Sequence, residues 1–180
     1  MPAADFQIRH SQHHDVPAIA AIYGYHVLHG LASFEEVPPA PDEIARRRGD
    51  ILERGLPYLV AAAEGRILGY CYAGPYRTRS AYRFTVEDSI YIDAEAVGRG
   101  IGRALLTKLI EDCTRLGYRQ MVAVIGGSDT WPSIRLHMAL GFNRVGLLPA
   151  IGFKFDDWVD TVLMQRRLGS GAAALPDQQT

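Results

Sequence analysis

Cysteine is scarce in this chain, and its two copies carry no motif. Cys71 and Cys113 stand in apolar surroundings without CxxC spacing, which favours reduced core residues over a disulfide or a thiolate metal site. Net charge is scarce as well: 19 basic against 20 acidic side chains leave a formal −1. That is too little field to gather nucleic acid or an anionic membrane, so any anion must be held by a local site. No apolar run approaches the length of a membrane span, and no charged-then-apolar leader opens the sequence, so a cytoplasmic protein is expected. His10, His13 and His14 gather near the start without carboxylates or cysteines at ligand spacing, and no metal is expected. Internal repeats are absent.

What is present is enough apolar material for one core: 48% of 180 residues, which suits a single domain over 1–168. Period and punctuation predict a strand at Gln7 to Ser11, then a helix capped by Asp15 and ending near His29-Gly30. A proline-bearing loop leads to a second helix, DEIARRRGDILER, closed by Gly55. Its three arginines, Arg46 to Arg48, fall mainly on a solvated face at helical period rather than forming a phosphate site. PYLVAAAE and RILGYCYAGPY then read as an antiparallel hairpin turned at Glu64-Gly65. A strand over Val86 to Ile92, a helix over about Arg99 to Leu116, a strand at Gln120 to Ile125, a helix near Pro132 to Leu140 and two last strands complete a mixed α/β layer fold. The polar, glycine- and proline-bearing segment 169–180 is expected to be a disordered tail.

The segment VGRGIG joins the Val86–Ile92 strand to the following helix. Gly98, Gly100 and Gly102 carry no Cβ, so successive N–H groups can converge on an anion where a helix presents its unpaired donors. A tight strand-to-helix turn with nothing bound explains the same glycines. The Lys-Ser/Thr of a nucleotide P-loop is missing, and so is the acidic residue that follows the second strand of a dinucleotide fold.

VGRGIG resembles the Arg/Gln-x-x-Gly-x-Gly/Ala signature of the GCN5-related N-acetyltransferases, which cradle the pyrophosphate of acetyl-coenzyme A. The Arg/Gln position falls on Glu95 or Val97, which leaves Arg99 to supply positive charge. SIRLHMALGF, with His137 where tyrosine is usual, YRFTVEDSIYI and GFKFDDWVDTVLMQ together resemble the phosphinothricin and methionine sulfoximine/sulfone N-acetyltransferase branch, over about Ile8 to Leu168. The resemblance implies a mixed, mostly antiparallel sheet with helices on both faces, acetyl-coenzyme A as co-substrate, a small amino-acid-like acceptor and a homodimer.

It also implies the site. Cofactor contacts fall on Ile90, Tyr91 and Ile92, on Gly98 through Arg103 (Gly98, Arg99, Gly100, Ile101, Gly102, Arg103), and on Thr130 and Ser133; Thr130 replaces the usual asparagine. Acceptor contacts fall on Phe34 and Glu35 as an aromatic wall and its neighbour, on Arg77, Thr78 and Arg79, on Glu87, Asp88 and Ser89, and on Lys154. An α-amino group arrives as ammonium, so a base must take a proton, and Glu87 is the candidate; a salt bridge to Arg83 or another basic side chain is its bland alternative. The leaving thiolate needs a proton, and His137 is the candidate acid, against a packed histidine bonded to backbone. Strand parity puts Val86, Asp88, Ile90 and Ile92 on one face, where Asp88 spoils the apolar run; a bulge near Asp88 or Ser89 would repair this and free a backbone N–H, and a solvated strand end at Asp88 is the other reading. Trp131 and Trp158 are expected to pack or to lie in an interface. Alternatives of other kinds are an acetyltransferase for another small amine or a peptide N-terminus, and an acetyl-coenzyme A sensor that needs neither Glu87 nor His137.

Overall fold

A computed structural model describes residues 5–176 of the chain. Seven strands, β1 (Gln7–His10), β2 (Tyr58–Ala63), β3 (Arg66–Pro75), β4 (Thr85–Ile92), β5 (Gln120–Gly126), β6 (Asn143–Lys154) and β7 (Asp157–Arg167), form one sheet in the order β1-β2-β3-β4-β5-β7-β6. Every neighbouring pair is antiparallel except β4 and β5. Helices α1 (Val16–His29) and α2 (Pro41–Glu53) cover one face; α3 (Ile101–Arg115) and α4 (Trp131–Ala139) cover the other.

Alternation along the strands, shifted by one residue in β3 where the register with β2 slips opposite Ala61/Ala62, explains the two cores. Along β3, Leu68, Cys71 and Ala73 meet Leu105, Leu106 and Leu109 of α3, while Ile67 and Tyr70 turn to Ile19, Tyr23 and Val27 of α1. Both cysteines are buried and unpaired. On the α1 side, Tyr58, Tyr70 and Tyr91 stack, with ring centroids 5.8 and 5.2 Å apart.

Local detail departs from expectation at Asp15 and at Arg48. Asp15 makes no side-chain cap on α1; its carboxylate takes the Gln12 N–H at 2.7 Å and a two-toothed contact from Arg9 at 2.7 and 2.8 Å. A bidentate guanidinium is a stronger partner than one helix N–H, so the cap is forgone. Arg48 is not solvated: it reaches Ser11 Oγ and O, both at 2.7 Å, and ties α2 to the end of β1. Arg46 and Arg47 pair with Glu43, Asp50 and Glu35, which leaves no free arginine triplet for a phosphate.

The expected bulge in β4 is absent. Register between β3 and β4 runs without a shift from Gly69/Ile92 to Pro75/Val86. Asp88 keeps its place on the α4 face because a buried partner, described below, accepts it there. The irregularity lies between β4 and β5, whose parallel pairing stops at Asp88/Ala123 although β4 continues to Ile92 and β5 to Gly126. From that point the two strand edges have no ladder partner in each other. Beyond Leu168, Gly171 and Ala173 close turns on Leu168 and Ser170, and Arg119 reaches Ser170 Oγ and Leu175 O; the remainder of the expected tail, 177–180, lies outside the described residues.

Candidate active site

The fork between β4 and β5 opens a cavity of about 410 Å³. It is lined by Leu31 to Phe34 from the α1–α2 loop, Glu87 to Tyr91 of β4, Ala123 to Gly126 of β5, and Thr130, Ser133 and His137 around α4. Leu148 and Ile151 of β6 and Thr161 of β7 complete the wall.

Glu87 and Asp88 are adjacent in β4 and so face opposite sides of the sheet, yet both reach the cavity because the sheet is split there. Burial raises the Glu87 carboxyl above the ordinary carboxylate range and the neighbouring Asp88 charge adds to this, while Arg77 opposes both. Arg77 is the cation whose charge acts on Glu87, without an ion pair between them. Arg83 lies over Phe84 and donates to Ser80 O, so the expected salt-bridge alternative is not made.

Asp88 is buried and gives one oxygen to His137: Nε2 lies 3.0 Å from Oδ2. The other imidazole nitrogen, Nδ1, donates to the Ser133 carbonyl at 2.7 Å, with Ser133 Oγ at 3.5 Å. Burial alone would lower the imidazole, but the hydrogen bond and charge of Asp88 and the Ser133 carbonyl outweigh it, and the net shift is upward. Asp88 Oδ1 is buried without a hydrogen-bond partner among the described residues. An orphan carboxylate oxygen in a cavity wall is a costly feature that a bound donor would relieve.

The glycine turn follows β4. Gly98 and Gly100 hold left-handed φ of +83° and +79°, where a side chain is strained, and Gly100 is the N-cap of α3. A Cβ at Gly102 would stand 3.3 Å from Leu136 Cδ2, a tight contact that the leucine methyl would have to yield to. Arg99 and Arg103 are exposed beside open N-terminal amides of α3. A phosphate chain fits this turn and the unpaired edges of Ser89 to Ile92 lead from it into the cavity.

Several predicted residues stand elsewhere or have their side chains engaged by other partners. Arg77, Thr78 and Arg79 line a separate surface cavity with Arg54, Tyr82 and Arg83. Glu35 is clamped by Tyr23 Oη at 3.0 Å and Arg47 at 2.6 Å. Lys154 donates to the carbonyls of Gly30 and Ser33 and does not line the central cavity. Tyr91 turns its ring to Tyr23 and Tyr70 and gives its hydroxyl to Ala32 O, leaving only its backbone for a cofactor. Thr130 spends its hydroxyl proton on Gly126 O at 2.7 Å. Sequence reasoning missed Ser33, Gly126 and Gly152. Gly126, in a Gly-Gly pair ending β5, and Gly152, isolated in a strand, are the signals that could have revealed a close backbone approach.

The chain is similar to known proteins in sequence and fold. The family model "Acetyltransferase (GNAT) family" matches residues 23–142. The chain is 53% identical over 163 residues to a phosphinothricin N-acetyltransferase of Alcaligenes faecalis, covering 91% of this chain and 83% of that one. It is 36% identical over 166 residues to an L-methionine sulfoximine/L-methionine sulfone acetyltransferase of Salmonella typhimurium, covering 92% and 96%. The crystal structure of a phosphinothricin acetyltransferase from Sinorhizobium meliloti in complex with acetyl-coenzyme A superposes with a TM-score of 0.94 at 48% identity, over 98% of this chain and 95% of that one. A chain with this fold, forked strand pair and glycine turn, so matched, belongs to the GNAT acetyltransferase family.

Proposed function

We propose that the protein transfers the acetyl group of acetyl-coenzyme A to the α-amine of a small amino-acid-like acceptor such as phosphinothricin, methionine sulfoximine or methionine sulfone. The observation that carries the reading is Glu87: a partly buried carboxylate with a raised pKa, in the wall of a cavity of small-molecule size at the β4–β5 fork. Relatives named for these acceptors support the substrate class.

Acetyl-coenzyme A, when bound, supplies a thioester whose C–S bond breaks as the new C–N bond forms. Gly98, Gly100 and the first amides of α3 hold its phosphates. Glu87 takes one proton from the acceptor ammonium, which frees the lone pair for attack. His137, whose pKa Asp88 raises, supplies a proton toward the leaving sulfur, with Ser133 Oγ 3.5 Å from its Nδ1 and both residues in the cavity wall. Leu31 to Phe34 exclude water from the acceptor end.

The edge strand β6 exposes Val145, Leu147, Ile151 and Phe153, and Trp158 of β7 stands beside Phe153 with ring centroids 5.3 Å apart. This apolar face, with Trp158 itself 65% exposed, is the surface a second copy would cover, and a homodimer is part of the proposal. A panel of amino acids and their sulfone and sulfoximine analogues, assayed by release of free coenzyme A, tests the substrate class. Turnover confined to peptide N-termini would overturn it.

A further inference from the structure

Lys154, the last residue of β6, is buried, and among the described residues no carboxylate lies within ion-pair distance of it. Its ammonium donates instead to two carbonyls, Gly30 O at 2.9 Å and Ser33 O at 2.7 Å. Burying an ammonium is costly, and the two carbonyls, the Phe155 ring 4.9 Å from Nζ and the more distant charges of Glu36 and Glu35 offset that cost only in part, so apolar packing alone gives no reason for a lysine here.

The two carbonyls bracket one short segment. Gly30 ends α1, and Ser33 precedes Phe34, so a single cation pins both ends of the loop whose residues Leu31 to Phe34 wall the cavity. The segment is pressed onto two glycines. A Cβ at Gly126 would stand 2.1 Å from Leu31 O, and one at Gly152 would stand 2.3 Å from Phe34 Cε2. Ser33 is held again through its hydroxyl, 2.8 Å from Tyr23 Oη and accepting the Glu35 N–H at 3.1 Å. A loop so fixed sets the position of the Phe34 ring, and with it the width of the acceptor end.

We infer that Lys154 is a positioning residue for acceptor selection, acting through the Gly30–Phe34 loop and touching no substrate itself. The inference rests on the acceptor reading given above. Loss of the ammonium frees the loop, so the acceptor is held less well while the thioester site is untouched.

The test combines kinetics with hydrogen exchange. Lys154→Met should raise the acceptor KM about tenfold or more, leave the acetyl-coenzyme A KM within about twofold, and speed amide exchange across Leu31 to Glu35 in the ligand-free protein. Lys154→Arg, which keeps charged donors, should recover part of both effects. Phe34→Ala should raise the acceptor KM on its own, and adding Lys154→Met to it should raise it no further, because both changes act through one ring. If Lys154→Met fails to fold, Lys154→Gln carries the same measurements. An unchanged acceptor KM with unchanged loop exchange, or full additivity with Phe34→Ala, overturns the assignment. Exchange measured without ligand decides the loop contact even if no acceptor in the panel is acetylated, a result that would count against the acceptor reading instead.

Discussion

His137 and Asp88, 49 residues apart in sequence, meet at 3.0 Å with both side chains almost wholly buried. The pair joins α4 to β4 beside the strand fork, and it turns a misplaced strand carboxylate into a partner that favours the charged form of the imidazole. Because the folded His137 pKa is raised, the contribution of this pair to stability is complete below about pH 6.5, the ordinary histidine value, and fades as pH rises through the higher folded value. Asp88→Asn should therefore lose about 1–3 kcal/mol near pH 6 in urea denaturation, with the gap to the parent narrowing toward alkaline pH. A gap that is constant with pH would mean that the pair is held with a neutral imidazole.

The glycine turn makes a separate prediction about the cofactor. Gly100 sits at φ +79°, in a conformation that costs a side-chain-bearing residue about 1–2 kcal/mol, and a β-branched side chain more. Gly100→Val should raise the acetyl-coenzyme A dissociation constant about tenfold or more in calorimetry, while the circular dichroism spectrum is unchanged. Affinity equal to the parent in a folded variant would move the phosphate site away from VGRGIG.

Most elements were legible because their signals are local. The apolar runs of β2, β3 and β5, the stop at Gly117 and the glycines of VGRGIG each report a requirement that short-range sequence carries. Partnerships were less legible. Nothing within a few residues of Asp88 announces His137, so a strand parity argument called for a bulge where a buried long-range pair already solved the problem. Lys154 shows the same limit: charge and motif position suggested an acceptor contact, yet its two partners lie more than 120 residues away in sequence, in a loop. Arg77 to Arg79 were placed near the right strand but open onto a different cavity, because the turn after Pro75 carries them past the β3 end.

That placement of Arg77 gives it an electrostatic role that can be measured. Arg77 holds the Glu87 pKa down against burial and Asp88, so its removal should raise that pKa further. For Arg77→Ala the acid limb of kcat/KM should move to higher pH, because the base must lose its own proton before it can accept one. If the limb stays in place and only acceptors bearing a carboxylate lose affinity, Arg77 contacts the substrate directly.

Glu87 itself carries the heaviest chemical demand, since the acceptor ammonium must lose a proton beside the thioester and Glu87 is the carboxylate in the cavity wall that is not already engaged with His137. Glu87→Gln keeps the shape of the side chain and removes the basic oxygen. Acceptor and cofactor binding should survive while kcat falls by about a hundredfold or more at neutral pH. The parent enzyme should itself lose activity as pH falls through the raised Glu87 pKa, above the ordinary carboxylate range, because protonated Glu87 cannot act as a base. The variant has no such group, so its profile should lack this limb and its rate should climb toward that of the parent as the free amine becomes abundant at alkaline pH. A hundredfold defect that is equal at every pH would assign Glu87 to holding the acceptor, with the proton leaving by another route.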